Sequence, residues 1–500
     1  MVIASRRGRS THNRTMPDAK EGTPLLSTQA SQRFRIPWLW YQFKTREGAL
    51  FITLYLMSTT SVLRSGVMTS LVSSQQPELL AAGYPSALSV WPGLSACFTA
   101  SGKLSQIVVI RIIGAYWTIC IALMLISIGL FLISTGHESL MAIGLSMSAF
   151  SNAHLWGSGV GVLANWVPGE HMGSAVGAVM GAASDGSTML FSVVISVLQS
   201  ALAPAGSWGA TFVPFLMFAG LVGVHALSNF LFLRRSAEDA GFDPPTAPPP
   251  RLDAEAVAEE NQLKHDDGAK PEIVKTELTS AGVVHPLEGV DTGTAVRVFL
   301  SHGRVYLAMG ICTFFAMVTA FPSYVGTFGV DIGLSDSVAS LLLVAAGGGN
   351  LIADLGAGFM NDHFTLRTFK RVGIITQLLG AVSAVAVLAL YVARQFEALH
   401  AVLPVALFFI NVPIGLYWNV VVAVFSVRFG GPSHAHTLSG LMDFISYVCV
   451  IPVQFGFGSL ITAGHWTAVL VLTVSFFLSG CISTNLHQYF EERLPSLPTV

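Results

Sequence analysis

The chain has 500 residues, of which 52% are hydrophobic and only 11% are charged. Soluble domains contain about 25% charged residues, so this composition excludes an ordinary soluble protein and indicates a membrane protein. The formal net charge of −2 also argues against a nucleic-acid partner, because nucleic-acid-binding domains are strongly basic. The five cysteines form no CxxC or Cys/His cluster, and we expect buried thiols rather than disulfides or metal ligands.

Twelve apolar runs are each long enough to form a membrane-spanning helix, which needs roughly 20 residues. Six of the runs precede a polar stretch and six follow it. We number these predicted spans from 1 to 12 in chain order. They centre on residues 49–72, 84–109, 114–135, 140–167, 172–203 and 207–233 in the first half, and on 303–330, 335–360, 371–393, 401–427, 436–462 and 465–486 in the second.

The polar stretch between the halves contains the segments DPPTAPPP and DAEAVAEENQLKHDDGAK. Such a composition cannot build a hydrophobic core, so it predicts a mostly disordered linker. The predicted fold is an all-α membrane protein with twelve transmembrane helices in two six-helix bundles. The predicted segments are a disordered tail, an N-terminal bundle, the linker, a C-terminal bundle and a second tail, at residues 1–45, 46–233, 234–300, 301–486 and 487–500.

Basic residues predict the orientation, because cytoplasmic loops of membrane proteins carry an excess of Lys and Arg. The N-terminal tail through Arg46 holds nine such residues, and loops on the same side contain Arg111, Arg234 and Arg371. The loops on the opposite side hold only Arg394. We therefore predict a multi-pass protein with both termini and the linker in the cytoplasm.

Arg64 is a charged residue in the middle of span 1, within the sequence LYLMSTTSVLRSGVMTSLV. A charge at the centre of a bilayer costs at least about 2.5–3.5 kcal/mol, so such residues usually face a cavity or a partner. In a cavity, the planar guanidinium could bind a phosphate or carboxylate group. The alternative is a buried ion pair with Asp185 or Asp443.

The other ionisable residues within the spans are one lysine and several aspartates. Lys103 lies late in span 2, where it either binds substrate or extends its side chain to the cytoplasmic surface. Asp185 and Asp443 lie in the first halves of spans 5 and 11, and we interpret them, with Asp354, as candidates for proton coupling or ion pairing. Asp362 follows Asp354 by eight residues, and we predict a gating role for it in a cytoplasmic turn.

Span 10 carries polar and aromatic residues in the segment FFINVPIGLYWNVVV. Asn411 and Trp418 are seven residues apart and share a helix face, with Asn419 beside them. This pattern suits a substrate cavity, although amides also form hydrogen bonds between membrane helices. His154 and His225 are single histidines on apolar helices, and we interpret both as core residues with local partners.

The glycines Gly173, Gly177 and Gly181 in span 5 form a GxxxGxxxG pattern, which lets a second helix pack closely. The sequence contains no phosphate-binding P-loop, nucleophile elbow, HExxH motif or paired-carboxylate site in a credible context. We therefore expect no enzymatic activity, no cofactor and no metal.

The N-terminal tail contains EGTPLLS, in which Glu21 precedes the pair Leu25 and Leu26 by four residues. This spacing resembles an acidic dileucine sorting signal, and it predicts a sorting adaptor as a partner. The predicted location is an endomembrane, either vacuolar, lysosomal or that of the endoplasmic reticulum, and the alternative is the plasma membrane.

Several of these segments resemble the sugar-phosphate exchangers and glycerol-3-phosphate transporters, the organophosphate:phosphate antiporters of the major facilitator superfamily. The resemblance rests on span 1 with Arg64, on SGKLSQ with Lys103, on LWGSGVGVLANWVPGEHMGSAVGAVMGAASDGSTM, and on HTLSGLMDFISYV with Asp443. It implies two bundles with a substrate site between them at mid-membrane. It also implies that Arg64 and Lys103 occupy the positions of basic residues in that group.

One position departs from that group, whose members usually carry a second basic residue in span 7. The corresponding segment here, FFAMVTAFPSYV, has Met317 and no Lys or Arg. A phosphate dianion is best held between two cations. A monoanion would need only Arg64.

The sequence thus predicts a secondary active transporter of a small organic anion, with exchange of a sugar phosphate for phosphate as one form of it. The alternative is a proton-coupled carrier of amino acids, monocarboxylates or other small solutes. A third class is a transport-inactive sensor, against which Arg64 and the amides Asn411 and Asn419 argue. We expect the lipid bilayer and a small-molecule substrate as partners, no nucleic acid, and a monomer.

Overall fold

The structure is a computed structural model, in which each of the twelve predicted spans contains described helical residues. Met317, Asn419 and the tail residues Glu21, Leu25 and Leu26 lie outside the described residues. The described residues are 45–167, 171–202, 207–242, 291–300, 322–363, 381–383, 385–418 and 426–491.

The first half of the described chain is mainly helical and includes two π-helical segments. Its α-helices are Arg46–Ser65, Val72–Ala81, Ser86–Ser89, Trp91–Ser134, Glu138–Ala164, Met172–Ala175, Ala183–Leu202 and Ser207–Phe232, its π-helices are Gly66–Leu71 and Val176–Ala182, and a 3-10 turn lies at Glu238–Ala240.

The described part of the second half is also helical. Its α-helices are Thr292–Phe299, Val325–Asp331, Asp336–His363, Leu403–Trp418, Ser426–Thr462 and Trp466–Glu491, an apolar helix runs over Ala381–Gln395, and 3-10 turns lie at Pro322–Tyr324 and Glu397–Val402.

The helix Trp91–Ser134 contains both span 2 and span 3. At 1.5 Å per residue, its 44 residues would extend about 66 Å, roughly twice the thickness of the hydrocarbon core. Gly114 breaks it with a φ of 81°, a left-handed conformation that glycine adopts without steric cost. The helix therefore breaks at Gly114, close to the boundary that the sequence predicts between the two spans.

Two separate hydrophobic cores support the prediction of two bundles. One buried cluster draws on residues from Ala49 to Ala237, and the other draws on residues from Ala295 to Phe477. Five helices in the described part of the chain are long and apolar enough to cross a membrane by length and composition: Trp91–Ser134, Val176–Leu202, Thr211–Phe232, Thr437–Thr462 and Trp466–Ser483.

The end of the predicted linker differs from the expectation of disorder, because Thr292–Phe299 is a helix. Asp291 caps it by accepting hydrogen bonds from the backbone N–H groups of Gly293 and Thr294 at 3.0 and 3.1 Å. The hydrogen bonds from Thr294 hold the pKa of Asp291 below its usual range. Ala295 and Phe299 are buried in the second core, so this helix packs on the C-terminal bundle.

The two bundles meet along two pairs of spans that matter for the site. Span 2 packs against span 11, and span 5 packs against span 8. Glycines permit both contacts. A Cβ atom on Gly440 would come within 3.2 Å of the Ile107 side chain, and one on Gly347 would come within 3.1 Å of the Asp185 carbonyl oxygen.

Candidate functional site

Arg64 is held inside the N-terminal bundle by neutral side chains. Its Nη2 donates a hydrogen bond to Ser184 Oγ of span 5 at 3.2 Å. Its guanidinium carbon lies 5.2 Å from the centre of the Trp156 ring of span 4, which is a cation–π distance. Its Nε is buried and has no hydrogen-bond partner among the described residues. The hydrogen bond and the ring contact therefore hold the guanidinium in place, and the N–H group at Nε remains able to donate a hydrogen bond to a ligand.

Arg64 does not form the direct ion pair that the sequence offered as an alternative. No described carboxylate lies within 4 Å of its guanidinium, and Asp443 is bound to a different cation. Asp185, Asp354 and Asp443 still lie close enough to interact electrostatically with Arg64. The guanidinium is thus surrounded by acidic groups without being neutralised by contact.

Lys103 forms a salt bridge with Asp443 across the boundary between the bundles. The Nζ–Oδ2 distance is 2.6 Å, and the side chains are only 5% and 3% exposed. This burial excludes the alternative in which Lys103 extends to the membrane surface. The second carboxylate oxygen of Asp443, Oδ1, is buried without a partner among the described residues. Spans 2 and 11 are therefore joined by opposite charges.

Asp185 and Asp354 form another contact between ionisable side chains of the two bundles, and here the two side chains are of the same kind. Their carboxyl groups lie within interaction range of each other between spans 5 and 8. Helix side chains point toward the N-terminus of their own helix, so Asp185 reaches back to the level of Gly181. A Cβ atom on Gly181 would lie 2.5 Å from Asp354 Oδ2. The GxxxG pattern thus makes room for this contact.

A π-helix lies next to each of two charged residues in the site. Gly66–Leu71 begins two residues after Arg64, and Val176–Ala182 ends three residues before Asp185. Such segments are rare and occur frequently at functional sites. Sequence reasoning missed both segments, although the first contains one glycine and the second contains two. It also missed Trp156 and Ser184 as the residues that hold Arg64.

The candidates of span 10 are only partly described. Asn411 is buried, and its Nδ2 donates to the Leu407 carbonyl oxygen at 2.8 Å within its own helix. Its Oδ1 is buried without a described partner, and its Cβ lies beside Gly349 of span 8. Trp418 and Asp362 lie at the ends of the described parts of their helices, Leu403–Trp418 and Asp336–His363. The side chains of these two residues are outside the described part.

The two histidines have local partners, as the sequence predicts. His225 Nε2 lies 2.9 Å from Thr60 Oγ1 and 2.8 Å from Asn229 Nδ2. His154 Nε2 lies 3.0 Å from Ser105 Oγ. Both histidines therefore belong to hydrogen bonds that tie the helices of the N-terminal bundle together. Across the described ranges, no group of three or more His, Cys, Asp or Glu residues could hold a metal ion.

Comparison with known families assigns this architecture. Residues 48–453 match the model of the Major Facilitator Superfamily. The chain belongs to this superfamily. It is an integral, multi-pass membrane protein of the all-α major facilitator fold, and the assignment indicates a transporter rather than an enzyme. The match is to the superfamily as a whole and does not single out the organophosphate antiporters.

Solved structures support the fold. The crystal structure of a D-xylose-proton symporter aligns with a TM-score of 0.59 at 17% identity, covering 90% of this chain and 99% of that one. A proton:xylose symporter of the same superfamily, bound to 6-bromo-6-deoxy-D-glucose, aligns with a TM-score of 0.58 at 14% identity, covering 90% and 97%. At these identities, the likeness concerns the fold alone. A search of curated proteins gave no match.

Proposed function

We propose that this protein is a secondary active transporter that moves a small organic anion by alternating access, with Arg64 as the anion-binding residue. The observation that carries the proposal is the setting of Arg64, whose partners are a hydroxyl group and an aromatic ring. A cation inside a membrane protein that touches no carboxylate retains its capacity to bind an anion. Ser184 and Trp156 would keep the guanidinium in place between transport cycles.

The preferred substrate in this proposal carries a single negative charge, as a monocarboxylate does. Lys103 is already bound to Asp443 at 2.6 Å, so among the described residues within the spans Arg64 is the cation that we propose to bind the substrate. A single guanidinium matches one carboxylate in a bidentate geometry. Asn411, Trp418 and Asn419 of span 10 are proposed to supply polar and aromatic contacts to the rest of the substrate.

A second candidate function is the exchange of a phosphate ester for phosphate. The observation in its favour is the position of Lys103, which would supply a second cation. Lys103 interacts electrostatically with Arg64, and its salt bridge crosses the boundary along which the bundles would rock. Separation of spans 2 and 11 would free Lys103 as a second cation for a dianion. In this form of the proposal, Lys103 binds substrate only in the separated state, and Asp362 gates the cytoplasmic side.

Uptake into vesicles that contain the purified protein tests the proposal. The panel is lactate, glucose 6-phosphate, glutamate, alanine and xylose, each presented to vesicles with and without internal phosphate. We expect lactate uptake that does not depend on internal phosphate. Glucose 6-phosphate uptake that requires internal phosphate would favour the second candidate. Uptake restricted to alanine or xylose would overturn the assignment of an anionic substrate.

A further inference from the structure

Three asparagines in spans 4, 8 and 10 bury a side-chain oxygen that has no hydrogen-bond donor within the described part of the chain. The atoms are Oδ1 of Asn152, Asn350 and Asn411. The Nδ2 group of Asn411 donates to the Leu407 carbonyl oxygen at 2.8 Å, which leaves its Oδ1 as an acceptor. Buried acceptors without a donor are uncommon in folded proteins and costly to leave unpaired. These oxygens therefore indicate a place for a ligand that donates hydrogen bonds.

Asn152 lies on the face of span 4 that meets Arg64. It precedes Trp156 by four residues, so the two side chains share a helix face. The centre of the Trp156 ring lies 5.2 Å from the guanidinium carbon of Arg64. Gly159 continues this face, and a Cβ atom there would collide with the Met180 side chain of span 5. The amide of Asn152 is thus one helical turn from the ring that holds the cation.

Asn350 lies on the face of span 8 that packs against span 5. It follows Gly347 by three residues, and residues at this spacing share a helix face. A Cβ atom on Gly347 would come within 3.1 Å of the Asp185 carbonyl oxygen of span 5. The residue before Asp185 is Ser184, which binds Arg64 at 3.2 Å. Asn350 and Arg64 therefore lie on two sides of the same part of span 5.

Asn411 adds a third oxygen from span 10. Its Cβ would lie 3.2 Å from a Cβ atom on Gly349, the residue before Asn350, so spans 8 and 10 pack closely here. The three oxygens thus come from both bundles and from three different spans. Donors spaced along a ligand suit such oxygens better than a single ammonium group, whose N–H groups all share one nitrogen.

The carboxylate of the proposed substrate cannot satisfy these oxygens, because it has no hydrogen to donate. It would bind Arg64, whose Nε also lacks a partner among the described residues. The amide oxygens need donors either from water or from the rest of the substrate. A substrate with hydroxyl groups at these places would gain affinity over one without them, because the analogue leaves buried acceptors unpaired.

We propose that the transported anion is a polyhydroxylated monocarboxylate. Its carboxylate binds Arg64, and its hydroxyl groups donate to the amide oxygens of Asn152, Asn350 and Asn411. This inference rests on the proposed function, because it takes the anion to bind at Arg64. The hydroxyl groups would contact both bundles at once, so the substrate would bridge the boundary along which the bundles move.

Uptake of three acids with the same three-carbon skeleton tests the proposal in vesicles that contain the purified protein. Propionate, lactate and glycerate carry no, one and two hydroxyl groups. Each added hydroxyl group should raise uptake at low concentration by about 2- to 13-fold, the factor that corresponds to one net hydrogen bond. Alanine has an ammonium group in place of the lactate hydroxyl group and should enter more slowly than lactate.

The other outcomes separate this inference from the proposed function. Equal uptake of the three acids would overturn the inference and leave the anion transporter intact, since water would then satisfy the oxygens. Faster uptake of alanine than of lactate would also overturn it, because an ammonium group would be the preferred donor. If none of the three acids enters, the proposed function fails and the inference fails with it.

Leucine variants test the three amides, because leucine has nearly the shape of asparagine and no acceptor. Asn152→Leu, Asn350→Leu and Asn411→Leu should each lower the ratio of glycerate to propionate uptake by about 2- to 13-fold. A loss of folded protein lowers both rates and leaves this ratio unchanged. Asn485→Leu is the matched control, since Asn485 is exposed near the end of span 12, and it should keep the wild-type ratio. A wild-type ratio in all three variants would overturn the assignment of these amides.

Discussion

Two contacts between ionisable side chains join the bundles in the described part of the chain, and they use opposite chemistry. Span 2 meets span 11 through Lys103 and Asp443, whose opposite charges attract at 2.6 Å. Span 5 meets span 8 through Asp185 and Asp354, whose carboxyl groups can touch only with a proton between them. The first contact holds without any added ion, whereas the second depends on a proton. The comparison indicates that the contact between spans 2 and 11 holds the bundles together. The contact between spans 5 and 8, in contrast, depends on the pH of the solution.

The largest expected effect comes from breaking the opposite-charge contact. Lys103→Met leaves Asp443 buried without its cation, and removal of one partner of a buried ion pair costs about 3–5 kcal/mol. We expect a corresponding loss of stability in thermal unfolding of the detergent-solubilised protein.

The double variant Lys103→Met/Asp443→Leu is the matched control, because it removes both charges and should recover most of the loss. A single variant as stable as the wild type would show that the salt bridge does not join the bundles.

The next largest effect is expected from a steric change at the contact between Asp185 and Asp354. Gly181→Ala places a methyl group 2.5 Å from Asp354 Oδ2, and such overpacking costs about 1–3 kcal/mol. Gly186→Ala is a control in the same span, since its Cβ would meet only a Leu351 side-chain atom at 4.0 Å. Unfolding measurements should separate the two variants. Equal stabilities would mean that spans 5 and 8 do not approach closely at Gly181.

A smaller effect is expected when a permanent hydrogen-bond donor replaces one carboxyl group of the contact between Asp185 and Asp354. In Asp354→Asn, the amide can donate to Asp185 without any proton from solution, so stability should change by no more than about 1 kcal/mol. This result would contrast with that of Lys103→Met and would show that the two contacts differ in kind. A loss as large as that expected for Lys103→Met would contradict the interpretation that Asp354 donates a hydrogen bond to Asp185 rather than balancing a cation.

The fold was largely predictable from the sequence, and the pairing of the charges was not. Apolar length identifies the spans, and the cost of charge in hydrocarbon identifies Arg64 and Lys103 from the sequence alone. Which ionisable side chains meet depends on the contacts between spans 2 and 11 and between spans 5 and 8. In the chain, Lys103 and Asp443 are more than 150 residues apart, as are Asp185 and Asp354. Hydropathy carries no information on such pairs. The helix Thr292–Phe299 was missed because a single buried face of eight residues is hidden in a polar composition.

The direct test of the account is the uptake of lactate by two arginine variants in vesicles at equal protein content. Arg64→Gln removes the proposed anion-binding cation, and loss of a charged hydrogen bond worth about 1.5–3 kcal/mol predicts a reduction of about 10- to 150-fold at low lactate. Arg394→Gln removes an arginine of a partly exposed ion pair with Asp331 and should retain uptake near that of the wild type. Equal uptake by the two variants would contradict the central claim that Arg64 binds the transported anion.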